Sequence, residues 1–75
     1  MVKLPIISAD EVIGALNKKG FKKVRQSGSH IALQKLEEGK TNTVIVPAHK
    51  ELAKGTLRSI IRKSGLTVED FLKLL

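Results

Sequence analysis

Phe21-Lys22-Lys23-Val24-Arg25-Gln26-Ser27-Gly28-Ser29-His30-Ile31-Ala32-Leu33-Gln34-Lys35-Leu36 contains two strand-like runs separated by small polar turn residues. Phe21 to Gln26 reads as a strand carrying Lys22, Lys23 and Arg25. Ser27-Gly28-Ser29 turns the chain, and His30 to Leu36 returns beside the first run as a hairpin. Side chains alternate between the faces of a strand, so Ile31 and Leu33 share one face while His30, Ala32 and Gln34 share the other. Burial of the apolar pair sends His30 outward.

The hairpin extends on both sides. Glu37-Glu38-Gly39-Lys40 is a second turn, and Thr41 to Val46 is a β-branched third strand stopped by Pro47, which has no amide hydrogen for the ladder. Upstream, Ser8-Ala9-Asp10-Glu11 has capping-box spacing, Ala9, Val12, Ile13 and Leu16 recur at helical intervals, and Gly20 closes the helix. Downstream, Gly55-Thr56 opens a helix with Leu57, Ile60 and Ile61 on one face, and Gly65 ends it. Thr67-Val68-Glu69-Asp70 then starts a short third helix with Val68, Phe71, Leu72 and Leu75 spaced to pack on one side. The order α-β-β-β-α-α predicts an α+β fold: a small three-stranded antiparallel sheet with helices packed on one face and the other face free. That order is similar to the double-stranded-RNA-binding fold.

Seventy-five residues fit one domain, expected to span 1–75. Folding at this size buries only about 60% of the surface that the unfolded chain exposes. With 41% hydrophobic residues and no cysteine, the core comes from packing alone, as suits a reducing compartment. The opening Met1-Val2-Lys3-Leu4-Pro5 lacks the apolar stretch of a signal peptide, and no run is long and apolar enough for a membrane helix. A cytoplasmic protein without a membrane partner is expected.

Fourteen Lys and Arg against seven Asp and Glu give a formal charge of +7. The excess is unevenly placed: no acid occurs from Val12 to Leu36, a window holding Lys18, Lys19, Lys22, Lys23, Arg25 and Lys35 as well as His30. A second basic group is Lys54, Arg58, Arg62 and Lys63. Such footprints either attract polyphosphate by releasing its counterions or form a solvated, solubilising face. Phe21 and Phe71 are the only aromatics, too few for a base-stacking platform, so recognition is expected to lean on phosphate and ribose.

His30 is the first candidate for chemistry, because histidine alone titrates unperturbed between about pH 5 and 8 and this one is fixed to a turn. At a strand start it also reads as an ordinary hydrogen-bonded surface residue. His49, nineteen positions on, follows Pro47 in a loop and is either a second proton carrier or a loop-fixing or RNA-contacting residue. Two histidines so spaced, without cysteine or a paired acid, fall short of the zinc pattern, so no metal or other cofactor is expected. Gly55-Thr56-Leu57-Arg58 reads either as ordinary capping or as a phosphate site at a helix start. Arg58 and Arg62, one turn apart, fit a phosphate track or an acidic partner.

Taken in order, Gly20-Phe21, Arg25-Gln26-x-Gly28-Ser29-His30, Val46-Pro47-Ala48-His49 and Gly55-Thr56-Leu57-Arg58 with Ile60-Ile61 and Gly65 resemble the HicA toxins, also called the YcfA-like family. The resemblance runs from about Ser8 to Leu75. It implies a dsRBD-like fold working as an mRNA interferase, an endoribonuclease neutralised by a HicB-like antitoxin; the lack of a metal-ligand pattern makes the expected reaction metal-independent. His30 matches the family's catalytic histidine, Gly28 its preceding glycine, and Ser29 would hold the turn. The chain departs from many relatives in carrying Ile31-Ala32-Leu33 after His30, and in a third helix found in only some members. The residues suit the chemistry, since RNA brings its own nucleophile, the 2′-hydroxyl, and cleavage needs only proton transfer and charge stabilisation. His30 would serve as base or acid, with Lys22, Lys23 or Arg25 on the phosphate according to strand face, and Gly28, Ser29, Lys35 and Arg58 among further RNA contacts. Two other readings stand beside this one: a non-catalytic RNA- or DNA-binding module, and a degenerate toxin that only docks its antitoxin.

Overall fold

The structure, a computed structural model, describes residues 4–75; the first three residues of the Met1-to-Pro5 opening lie outside the described residues. The elements follow the expected order: α1 (Ala9–Lys18), β1 (Lys22–Ser27), β2 (His30–Glu37), β3 (Lys40–Pro47), α2 (Lys54–Lys63) and α3 (Val68–Leu72). The strands form one antiparallel sheet in the order β1-β2-β3.

The capping box at α1 is formed on both sides: the Glu11 amide donates to Ser8 Oγ at 3.2 Å, and the Ser8 amide donates to Glu11 Oε1 at 3.3 Å. At its far end Gly20, with φ +96, lets its own amide reach the Asn17 carbonyl at 3.0 Å while the Phe21 amide reaches that of Leu16 at 3.1 Å. This is a Schellman cap, and its usual hydrophobic contact is supplied by two buried side chains, Leu16 and Phe21. Phe21 therefore belongs to the helix exit and the core, and the strand begins one residue later than the sequence pattern suggests. Gly65 and Leu66 close α2 with the same pair of bonds, to Arg62 and Ile61.

Helix α2 starts at Lys54, one residue before the expected Gly55, with an extended Ala53 as its N-cap and no side-chain bond there. Helix α3 is capped by Thr67 Oγ1, which accepts from the Asp70 amide at 3.0 Å. It is shorter than the apolar spacing implies. Past Leu72 the chain tightens into i to i+3 bonds, with the Leu74 amide on the Phe71 carbonyl, so Leu74 packs on the core and Leu75 is left 47% exposed.

All three helices lie on one side of the sheet. From the sheet, Ile31, Leu33, Val44 and Val46 meet Val12 and Leu16 of α1, Leu57, Ile60 and Ile61 of α2, and Phe71 of α3 in one hydrophobic cluster. The chain around the helices is tied in by its backbone: the Ala9 amide donates to the His49 carbonyl and the Leu52 amide to that of Ile7, both at 3.0 Å. The opposite face of the sheet is uncovered. Among the described residues no helix is long and apolar enough to cross a membrane.

Candidate active site

The uncovered face is organised by strand register. Ser27 pairs with His30 across the two-residue Gly28-Ser29 loop, and His30 pairs with Pro47 on its other side. Gly28 has φ +59 and Ser29 does not share the positive sign, the pattern of a type II′ turn, in which glycine belongs at the first central position. A Cβ built on Gly28 would meet nothing within 4 Å, so the glycine serves the backbone conformation. Gln26 Nε2 donates to the Gly28 carbonyl at 3.1 Å, and the Ala48 amide donates to the Ser29 carbonyl at 2.6 Å, fixing both sides of the turn. His30 thus leaves a braced hairpin with its side chain exposed.

From that rung the face continues in steps of two residues. Arg25, Ala32 and Ile45 form the next row across the three strands, and Lys22, Gln34 and Thr43 the one after. The cations arrive there through an irregularity. Register slips between Lys23 and Arg25, leaving Val24 as the extra residue of a β-bulge. Lys22 pairs with Gln34 on the His30 face, whereas Lys23 pairs with Leu33 on the other side, where its Nζ donates to Gln26 Oε1 at 2.9 Å.

Of the residues singled out from sequence, then, His30, Arg25 and Lys22 share one face, with Gly28 and Ser29 forming the turn that presents it. Lys23 does not join them, and neither does Lys35. The Lys35 ammonium lies 5.9 Å from the Phe21 ring centre and 3.7 Å from Glu37 Oε1, sealing the edge of the core on the helical side. Arg58 is exposed on α2, in the helical layer behind the sheet. His49 lies at the His30 end of the sheet because it follows Pro47 closely, and its amide donates to the Pro47 carbonyl at 2.8 Å. Its backbone carbonyl holds the first turn of α1, and it lines a recess with Ser8, Asp10 and Lys50.

Lys35–Glu37 is the one ion pair among the described residues, so Arg25 and Lys22 face solvent with no carboxylate neutralising them. No three His, Cys, Asp or Glu side chains among the described residues gather into a metal-ligand set. The arrangement offers a proton-transfer group at one end of an open face and a column of cations running from it along β1. Sequence reasoning missed Ser27, Thr43 and Ile45 as members of this face. The signal for Thr43 and Ile45 was the length of the Glu38-Gly39 loop, which sets the β2–β3 register.

The family model described as HicA toxin of bacterial toxin-antitoxin matches residues 9–66. The chain belongs to the HicA toxin family. The matched span holds the whole sheet, the Gly28-Ser29-His30 turn and α2, so the face just described lies inside the matched residues. It leaves out α3, although Phe71 of that helix is fully buried. A toxin role in a toxin-antitoxin pair, with an antitoxin as partner, follows from membership. No curated protein matches the chain.

Proposed function

We propose that the chain is a metal-independent endoribonuclease that cleaves mRNA at His30 and is silenced by a HicB-like antitoxin covering the same face. The observation that carries this is the position of His30: braced at a hairpin turn, exposed, and followed along one uncovered face by Arg25 and Lys22. RNA laid on that face places its phosphates along the β1 cations, which bind backbone irrespective of sequence.

Cleavage then proceeds by transesterification. The 2′-oxygen attacks the adjacent phosphorus, its proton leaves to a base, and the 5′-oxygen departs with a proton from an acid. The products are a 2′,3′-cyclic phosphate and a 5′-hydroxyl, and no water or metal enters the step. His30 takes the base or acid role, and Arg25 offsets the charge that builds on the phosphorane oxygens. His49 is the lesser candidate for the complementary proton transfer; its backbone bonds to Ala9 and Pro47 suit a loop-fixing role. Excess EDTA should leave the wild-type rate unchanged and end-group analysis should find the cyclic phosphate; cleavage that stops on chelation would sink the metal-free reading.

The antitoxin is expected to present an acidic surface, since opposite charge speeds encounter with a +7 chain. A toxin this small has little surface on which to keep inhibitor and RNA apart. Titrating labelled, uncleavable RNA into the preformed toxin–antitoxin complex should reveal competition, and simultaneous binding at full affinity would place inhibition elsewhere.

A further inference from the structure

The two outer edges of the sheet are built differently. Along β1 the bulge at Val24 and the cations Lys22, Lys23 and Arg25 interrupt the edge, devices that keep other strands away. Along β3 there is neither: its pairing with β2 runs without a shift, and Thr41 to Val46 is uncharged and mostly β-branched. The hydrogen-bond phase of β3 follows from its two ends, because antiparallel pairs alternate between bonded and non-bonded. The Ala48 amide donates to the Ser29 carbonyl, so the next pair, His30–Pro47, is a non-bonded one, which suits a proline. At the other end Glu37 and Lys40 close the two-residue turn as a bonded pair. Both ends give the same phase. Asn42, Val44 and Val46 direct their backbone groups to β2, and Thr41, Thr43 and Ile45 turn theirs away from the sheet. Among the described residues no backbone group meets those three amides and three carbonyls.

That row is complementary to itself. A second copy set antiparallel about a two-fold axis at Thr43 pairs Thr43 with Thr43 and Thr41 with Ile45, and each pair exchanges two bonds, so every free group on both edges is used. Sliding the copy by two residues sets Thr41 against Pro47, which lacks an amide hydrogen, or Ile45 against the turn glycine Gly39. Side chains of bonded partners share a face, so Thr43 meets Thr43 and Thr41 meets Ile45 on the uncovered side, cross-strand contacts of the kind that stabilise antiparallel pairs. The charge of +7 does not prevent this, because the β1 cations lie at the far edges. Five strand spacings, about 24 Å, separate the two β1 strands, against a Debye length of about 8 Å. Lys40 falls opposite Val46, with its counterpart about 20 Å along the strands. An acidic partner strand would find no cation between Thr41 and Val46 to answer its charge, whereas a neutral, self-matching edge fits the chain's own β3. We infer that two copies of the chain associate edge to edge through β3, forming one six-stranded sheet with both His30 faces on the same side. The inference does not depend on the nuclease reading. Three residue pairs bury less than the roughly 1,000 Å² of a stable interface, so the dimer is reversible and forms as concentration rises.

Sedimentation equilibrium of the wild-type chain over a rising concentration series should show monomer passing to dimer. Thr43→Pro removes an amide hydrogen that bonds nothing inside the chain, so the variant should fold and stay monomeric. Ile45→Lys, which brings like charges towards the axis without touching the backbone, should do the same, and a thermal melt confirms that each variant folds. Register is read by cysteine substitution, since the chain has no cysteine of its own. Oxidised Thr43→Cys should link two copies by a disulfide across the axis, where a bonded pair sets the Cα atoms about 5.5 Å apart. Thr41→Cys, also exposed but about 14 Å from its counterpart, should not. A wild-type chain that stays monomeric at every concentration, or a dimer that Thr43→Pro and Ile45→Lys leave intact, overturns the inference, as does equal cross-linking at Thr41 and Thr43. A monomeric wild type whose antitoxin affinity falls with Thr43→Pro would assign the edge to the antitoxin instead.

Discussion

At the scale of single residues, what His30 can do depends on Gly28. The left-handed backbone at φ +59 is the cheapest way for a two-residue loop to reverse the chain with the twist that the strands need. An L side chain there costs about 1 to 2 kcal/mol through its own Cβ. Because a Cβ at Gly28 meets no neighbour within 4 Å, the cost of Gly28→Ala is conformational alone. Urea unfolding should therefore show a loss of about 1 kcal/mol for Gly28→Ala, and a smaller loss for Gly28→Asn, which tolerates that region. Equal stability of all three proteins would mean that the turn adopts another form in solution. The outward aim of His30 was legible from period two alone, because Ile31 and Leu33 have no alternative to burial. The left-handed Glu38 of the second turn, at φ 51, had no such signal, since glutamate is an unusual residue for that conformation.

At the scale of elements, the bulge in β1 decides which lysine shares the His30 face. Reading back from the Ser27–His30 pair in an unbroken ladder places Arg25 beside Ala32 and then Lys23, not Lys22, on the His30 face. The extra residue Val24 exchanges the two. Nothing in Lys22-Lys23-Val24-Arg25 announces this, because all four side chains are exposed and no hydrophobic alternation pins the register. The helices were more transparent: the Ser8 box, the Gly20 and Gly65 ends and the Leu57-Ile60-Ile61 face are local chemistry. Past Leu72 the period stopped being a guide once the helix ended. RNA affinity measured over a salt series should fall steeply for wild type, and Lys22→Glu should weaken binding and lower the slope of log affinity on log salt by about 1. Lys23→Glu should do markedly less. Equal effects of the two reversals would contradict the register.

At the scale of the molecule, the fold divides its labour between the two sides of one thin sheet. One side buries the core, and the other is left free for a ligand because no helix covers it. The margin for this is narrow, as a chain of this length is stabilised by only about 4 to 11 kcal/mol at 0.05 to 0.15 kcal/mol per residue. Phe71 is then decisive despite lying outside the family match. Removing a fully buried phenylalanine costs about 3 to 5 kcal/mol, which takes most of the stability at the lower end of that range. Phe71→Ala should melt far below wild type by circular dichroism, and a cooperative melt close to that of wild type would show that α3 is an ornament rather than part of the core.

The central claim is that this uncovered face is a ribonuclease site with His30 at its working end. Single-turnover cleavage of a labelled RNA in EDTA, by wild type and by a folded His30→Ala protein, tests it most directly. The account predicts strand scission by wild type and none above background by the variant, while the variant still binds RNA through Arg25 and Lys22. Cleavage by His30→Ala at the wild-type rate would contradict it.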